Sequence, residues 1–174
     1  MRHPLTEARL REFMKRLGQA ATGKSDVFLV GGASAVLHGW RETTLDVDLT
    51  IMPERDEVYR AIPQIKEDLE INVEIASPFD FIPEIEGWRE RSPFITSEGS
   101  LSFFHFDFYG QALAKIERGH DRDLRDVESM VLDGLVEPAL LAKHFEAIED
   151  RLYRYPAIDP PSFRRSVHQF LGRL

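Results

Sequence analysis

The chain has 174 residues, 43% of them hydrophobic, no cysteine and a formal net charge of −8. This length suits one domain with a proper core, the missing cysteines exclude disulfides and thiolate metal centres, and the acidic balance argues against broad affinity for nucleic-acid backbone. No apolar run approaches a bilayer span, and Met1-Arg2-His3-Pro4 leads into a charged helix rather than an apolar export signal, so a cytoplasmic protein without membrane contact is expected.

Leu10, Phe13, Met14, Leu17 and Ala21 recur at helical spacing, which predicts an amphipathic helix over 6–21 capped by Thr6. A strand at 27–30, a short helix at 33–38 and a strand at 45–51 follow. Residues 54–69 read as a helix that Pro63 kinks or splits. Ile71 to Ala76 reads as a third strand, and a loop then runs through Pro78 and Gly87-Trp88-Arg89. Phe94-Ile95-Thr96 and Leu101 to Phe106, joined by Ser97-Glu98-Gly99-Ser100, read as a hairpin. The remainder is helical: 108–118, 121–133, 138–153 after Pro138, and 162–172 capped by Ser162, with Tyr155 to Pro161 as a stiff linker. The expected fold class is α+β, a single domain over 1–174. A small mixed sheet backed by helices occupies 27–107, and a helical C-terminal half occupies 108–174.

The chemistry concentrates in two neighbouring segments. Gly31 and Gly32 close a uniformly apolar strand, Val27-Phe28-Leu29-Val30, and let the backbone turn tightly against a ligand. Ser34 follows, in a stretch whose free N–H groups suit phosphate. In the next strand, alternation puts Asp46, Asp48 and Thr50 on one face and Leu45, Val47, Leu49 and Ile51 on the other. Two carboxylates about 6–7 Å apart and aimed the same way repel unless a cation lies between them. A phosphate cradle facing a divalent cation is the equipment of phosphoryl or nucleotidyl transfer. Arg41, Thr43 and Thr44 lie in the loop that delivers Asp46, within reach of phosphates.

In these residues the chain resembles the DNA polymerase β-type nucleotidyltransferases: Gly31-Gly32 after a strand, then Asp46-Val47-Asp48 between hydrophobic residues. The later run Gln111 to Arg118, followed by Arg122-Asp123-Leu124-Arg125-Asp126, is similar to small bacterial abortive-infection nucleotidyltransferases, many of them toxins of toxin–antitoxin pairs. The resemblance implies a magnesium-dependent transfer of a nucleoside monophosphate from an NTP to an acceptor hydroxyl, with two Mg2+ ions. It further implies an acceptor such as an RNA end or tRNA, and an antitoxin protein as a partner. No hydroxyl residue follows Gly32 directly, so Ser34 takes the phosphate role that a serine there would have.

The resemblance also asks for a third carboxylate on a neighbouring strand. Glu74 is the first choice, sharing a face with Asn72 and Ala76; Asp107 in Phe104-His105-Phe106-Asp107 is second, although it also suits a helix cap, and Asp80 is third. Asp46, Asp48 and Glu74 are thus the expected metal ligands, and Gly31, Gly32, Ser34, Arg41 and Thr44 the nucleotide-binding residues. Lys115 is assigned to neutralising the triphosphate or the departing pyrophosphate, with Asp123 and Asp126 organising Lys115 and Arg122 rather than binding metal. His105, His120, Trp40 and Trp88 read as structural. Arg89 with Arg91, Arg118 with Arg122 and Arg125, and Arg151, Arg154, Arg164 and Arg165 read as solvated helix faces. The competing reading is a degenerate nucleotidyltransferase fold that binds or regulates without catalysis.

Overall fold

Leu10, Phe13, Met14 and Leu17 fall on one side of a helix, and in the computed structural model, which describes residues 3–174, that side is wholly buried. Met1 and Arg2, at the head of the expected N-terminal lead-in, lie outside the described residues. The fold divides into two units, one of the residues through Ser77 with Ser92–Phe106, the other of Pro78–Arg91 with Asp107–Leu174.

The first unit carries the sheet. Its elements are β1 (Leu5–Thr6), α1 (Glu7–Ala20), β2 (Ser25–Val30), α2 (Gly31–Leu37), β3 (Thr43–Thr44), β4 (Asp46–Met52), α3 (Asp56–Asp68) and β5 (Asn72–Ile75). After the excursion to the second unit come β6 (Phe94–Glu98) and β7 (Leu101–His105); α4 (Trp88–Arg91) precedes them in sequence. Five strands form a mixed sheet in the order β5-β4-β2-β7-β6, and β1 pairs with β3 as a separate two-stranded ribbon. Alternation sends Val27, Leu29, Val47, Leu49, Ile51, Val73, Leu101 and Phe103 to one face, where they pack with the buried stripes of α1 and α3. Each fully buried Leu or Phe there contributes about 2–3 kcal/mol. The α+β class expected from the sequence is the one observed.

Thr6 caps α1 as expected, accepting from the Arg9 N–H. Pro63 does not split the helix: α3 runs from Asp56 to Asp68 through it. Val58, Ile62 and Ile65 bury one stripe of α3 while Pro63 sits on the exposed side, where water can serve the carbonyl a proline leaves without its amide partner. The short helix after the first strand starts at Gly31 rather than Ala33.

The second unit is helical. A 3-10 turn at Pro78–Asp80 and α4 occupy what the sequence suggested was a loop. There follow α5 (Phe108–Arg118), α6 (Asp121–Leu132), α7 (Pro138–Glu149) and α8 (Pro160–Leu171), with α5 packed on the other three. Phe145 of α7 meets Phe163 of α8 edge-on at 4.9 Å. Two boundaries differ from expectation. The third of these helices ends at Glu149, and a 3-10 turn at Leu152–Arg154 follows, tucking Leu152 out of solvent. The last helix starts at Pro160 and its cap is Asp159, not Ser162. Prolines lack the N–H that the first helical turn cannot use anyway, so the helix grows back through Pro161 and Pro160, and the Asp159 carboxylate accepts from the Ser162 N–H at 3.1 Å. Among the described residues, no helix is long and apolar enough to cross a membrane.

Candidate active site

Strand register builds the site. Antiparallel pairing of β2 with β4 puts Val30 opposite Asp48, and parallel pairing of β4 with β5 puts Asn72 opposite Asp46 and Glu74 opposite Asp48. Neighbouring strands lie about 4.8 Å apart. The side chains of Asp46, Asp48, Asn72 and Glu74 therefore share the sheet face opposite the core, and the glycine turn opens beside Asp48. Asp46 and Asp48 are half-buried and Glu74 is exposed. The Asn72 amide nitrogen donates to Asp46 Oδ1 at 2.8 Å and to Glu74 Oε1 at 3.1 Å, linking the two strands' acids.

The glycines meet two different demands. Gly31 has φ +60°, the left-handed region, and a Cβ on it would stand 3.4 Å from Asp48 Oδ2. Gly32 has no room for a side chain: a Cβ there would overlap the Thr44 hydroxyl and come within 2.9 Å of the Thr44 Cβ. An Arg41 guanidinium nitrogen lies 3.6 Å from that same point. Thr44 is buried, held in β3 against Leu5 of β1, and its hydroxyl donates to the Asp46 carbonyl at 3.3 Å. Gly31, Gly32, Arg41, Thr44, Asp46, Asp48 and Glu74 thus gather in one region of the first unit.

Ser34 faces another way. It is 1% exposed, and its hydroxyl shares a 2.8 Å hydrogen bond with His105 Nδ1. The His105 ring lies 4.7 Å from that of His38, which stacks on Trp40 at 4.6 Å. Burial first, and the neighbouring His38 second, push the His105 pKa down to about 3, so the ring is neutral at physiological pH. This chain of rings fixes α2, and with it the glycine turn, to β7.

The remaining candidates lie in the second unit. Lys115 is 5% exposed, its ammonium 2.7 Å from Asp126 and 3.3 Å from Asp123. The expected organising role of Asp123 and Asp126 toward Lys115 is present, but Asp123 pairs with Arg118, at 2.7 Å, as its second cation. Burial alone would raise the Asp123 pKa; the hydrogen bonds and charges of Arg118 and Lys115 outweigh it and hold the carboxyl below its ordinary value. Asp107 is fully buried and caps α5 through the N–H groups of Tyr109 and Gly110. Arg91 forks onto its two oxygens at 3.1 and 2.9 Å. Asp80 is the exposed residue of the 3-10 turn. Neither Asp107 nor Asp80 belongs to the sheet that carries Asp46 and Asp48. Trp88 donates to Glu84 at 3.1 Å and packs edge-on against Phe79.

Asn72, the Ser34–His105 bond and the Arg91 fork carry no signal in the sequence beyond the alternation that put Asn72 and Glu74 on one face. As donors, the carboxylates suit a hard, oxygen-seeking cation such as Mg2+. Among the described residues, however, no group of three or more His, Asp or Glu side chains stands ready-made to hold a metal ion. The Asn72 amide lies between Asp46 and Glu74 instead.

A family model described as "Nucleotidyltransferase of unknown function (DUF6036)" matches residues 8–159. No curated protein matches the sequence. The crystal structure of an antigenic nucleotidyltransferase-like protein from Paracoccidioides brasiliensis resembles the whole fold, with a TM-score of 0.50, 15% identity and 95% of each chain covered.

Proposed function

Since the chain belongs to the DUF6036 nucleotidyltransferase family, we propose that it is a magnesium-dependent nucleotidyltransferase moving a nucleoside monophosphate from an NTP to an acceptor hydroxyl. The observation that carries this reading is the register placing Asp46, Asp48 and Glu74 on one face beside the Gly31-Gly32 turn. Asp46, Asp48 and Glu74 are the residues that would hold Mg2+, two ions on the family's pattern. Bound there, the cations would lower the charge of the triphosphate and of the attacking and leaving oxygens.

The chain's own groups do the rest. The bare backbone of Gly31 and Gly32 admits phosphate oxygens close to the turn, Arg41 supplies positive charge beside it, and the Thr44 hydroxyl and Ser34 fix its shape. The acceptor oxygen bonds to the α-phosphorus while the bond to pyrophosphate breaks, the hydroxyl proton passing to a carboxylate of the site. Lys115 is proposed, on sequence grounds alone, for the charge of the departing pyrophosphate. The toxin-like resemblance supports an RNA end, such as that of tRNA, as the acceptor, an antitoxin as a protein partner and a bacterial cytoplasm as the setting.

The test is nucleotide binding with and without magnesium. Asp46→Asn and Asp48→Asn should keep the fold, because they relieve like-charge repulsion, and should abolish magnesium-dependent NTP binding and pyrophosphate release. Wild-type magnesium dependence in either variant rejects the assignment. A second reading, a binding or regulatory module without catalysis, draws on the lack of a ready-made metal cluster among the described residues. NTP binding indifferent to magnesium, with no pyrophosphate released, would favour it.

A further inference from the structure

The sheet ends at β5, so one side of that strand faces no other strand. Across the parallel pair with β4, the Ala76 N–H donates to the Leu49 carbonyl at 2.9 Å. In such a pair, alternate residues turn both backbone groups to the same neighbour. Glu74 and Ala76 therefore turn theirs toward β4, and Val73 and Ile75 turn theirs away from the sheet. Lys66 marks that outer side, its ammonium donating to the Val73 carbonyl at 3.2 Å. The Val73 N–H and both backbone groups of Ile75 also point outward, along an edge where Ile75 is 52% exposed. Sheets blunt such edges with lysine, proline or a covering element, because an open edge pairs with another strand. Here Lys66 covers one acceptor.

A groove of about 570 Å³ adjoins this edge, lined by Tyr59 and Ile62 of α3 and by Ile75. Its exposed lining residues include Glu67 and Glu70, and Glu74 is exposed on the other face of β5. Three carboxylates thus border the edge against one lysine, whose ammonium is turned to a backbone carbonyl. We propose that β5 and α3 dock an extended segment of a partner protein, added to the sheet as an outer strand, in which apolar and basic residues alternate. Side chains of an added strand point to the two faces in turn. Apolar ones enter the groove beside Ile75, and lysines or arginines come alongside Glu74. Charge decides the occupant. A second copy of this chain, paired edge to edge, would bring the same acidic border against itself; a basic segment meets opposite charge. Main-chain bonds supply affinity, and the groove with its acids supplies specificity. The inference rests neither on catalysis nor on a metal, and it places the partner beside Glu74, at the margin of the candidate site.

The experiment titrates the full chain, without nucleotide or metal, with a capped hexapeptide alternating lysine and valine, and with its glutamate-for-lysine counterpart. Binding is followed by 15N–1H correlation, and hydrogen exchange of the Val73 and Ile75 amides is measured with and without peptide. The basic peptide should bind and slow exchange at both amides, and the acidic one should do neither. The double variant E67K/E70K should bind the basic peptide at least about tenfold more weakly. I75P should bind more weakly than I75A, because proline removes an outward N–H without touching the pairing with β4; thermal melts check the fold of each variant. Equal binding of the two peptides, no binding of either, or peptide binding that leaves both amides unprotected overturns the proposal. So does equal binding by I75P and I75A, which would make the groove a side-chain site without strand pairing. Protection of both amides that grows with protein concentration in the absence of peptide overturns it in favour of a second copy.

Discussion

Val30 and Asp48 face each other across the antiparallel pair of β2 and β4. The last residue of the apolar strand therefore stands level with the second carboxylate, and the chain turns at Gly31 with φ +60° directly beside it. A slip of one residue in this register would send Asp46 and Asp48 into the core face and Val47 and Leu49 out. Burying Val47 and Leu49 thus fixes where the acids point.

Glu74 and Asp107 should respond in opposite ways. Glu74 is exposed on β5, so Glu74→Gln is expected to change stability by less than about 0.5 kcal/mol and to lower turnover by orders of magnitude. Asp107→Asn loses the fork from Arg91 as well as weakening the α5 cap, and should cost about 3 kcal/mol in urea unfolding. This exceeds the value for a simple helix cap, because Arg91 is left with half a partner. A destabilised Glu74→Gln with normal turnover would remove Glu74 from the site.

Gly32→Ala tests the packing of the turn. The new methyl must displace Thr44, at a cost of about 1–3 kcal/mol. Thr44→Ala in the same chain should recover only part of this, because the Thr44 Cβ itself would stand 2.9 Å from the added carbon. A thermal-melt cycle of the two single variants and the double reads the coupling; strict additivity would show that the turn and β3 do not constrain each other.

His105 predicts an acid-side loss of stability. Its pKa is lowered in the folded chain to about 3 from an ordinary 6.5, so the unfolded chain binds a proton first as pH falls. The contribution is fully present above pH 6.5 and is lost at about 1.4 kcal/mol per pH unit below it, levelling off near pH 3. Between pH 6.5 and 5 the wild type should lose roughly 2 kcal/mol more than His105→Asn, whose side chain does not titrate. Parallel pH profiles for the two proteins would contradict a buried neutral ring between Ser34 and His38.

Lys115→Ala should remove the ammonium that lies 2.7 Å from the buried Asp126 carboxylate, a loss of about 3–5 kcal/mol. Lys115→Met with Asp126→Leu replaces the pair by apolar groups and should recover most of it. That double variant then isolates the charge: a turnover reduced about 10²–10³-fold with the fold intact supports the role toward pyrophosphate, and unchanged turnover makes the lysine purely structural.

The sequence by itself determined whatever depends on local periodicity and local stereochemistry. The alternation of Asp46-Val47-Asp48-Leu49 fixed one wet and one buried face. The apolar stripe of α1 and the Thr6 cap were readable, and so was the α+β class. Gly31-Gly32 followed by Asp46 and Asp48 carried the family resemblance. Where two local signals competed, the reading depended on which was weightier: Pro63 mattered less than the buried stripe around it, and Pro160-Pro161 moved the cap of α8 from Ser162 to Asp159. The tertiary structure alone decided which residues meet across strands and helices, because those contacts join positions far apart in the chain. Asn72 reaches Asp46 across 26 residues, Ser34 reaches His105 across 71, and Gly32 is confined by Thr44. In each case the constraint is steric or electrostatic closeness that strand pairing creates, and no local pattern encodes it.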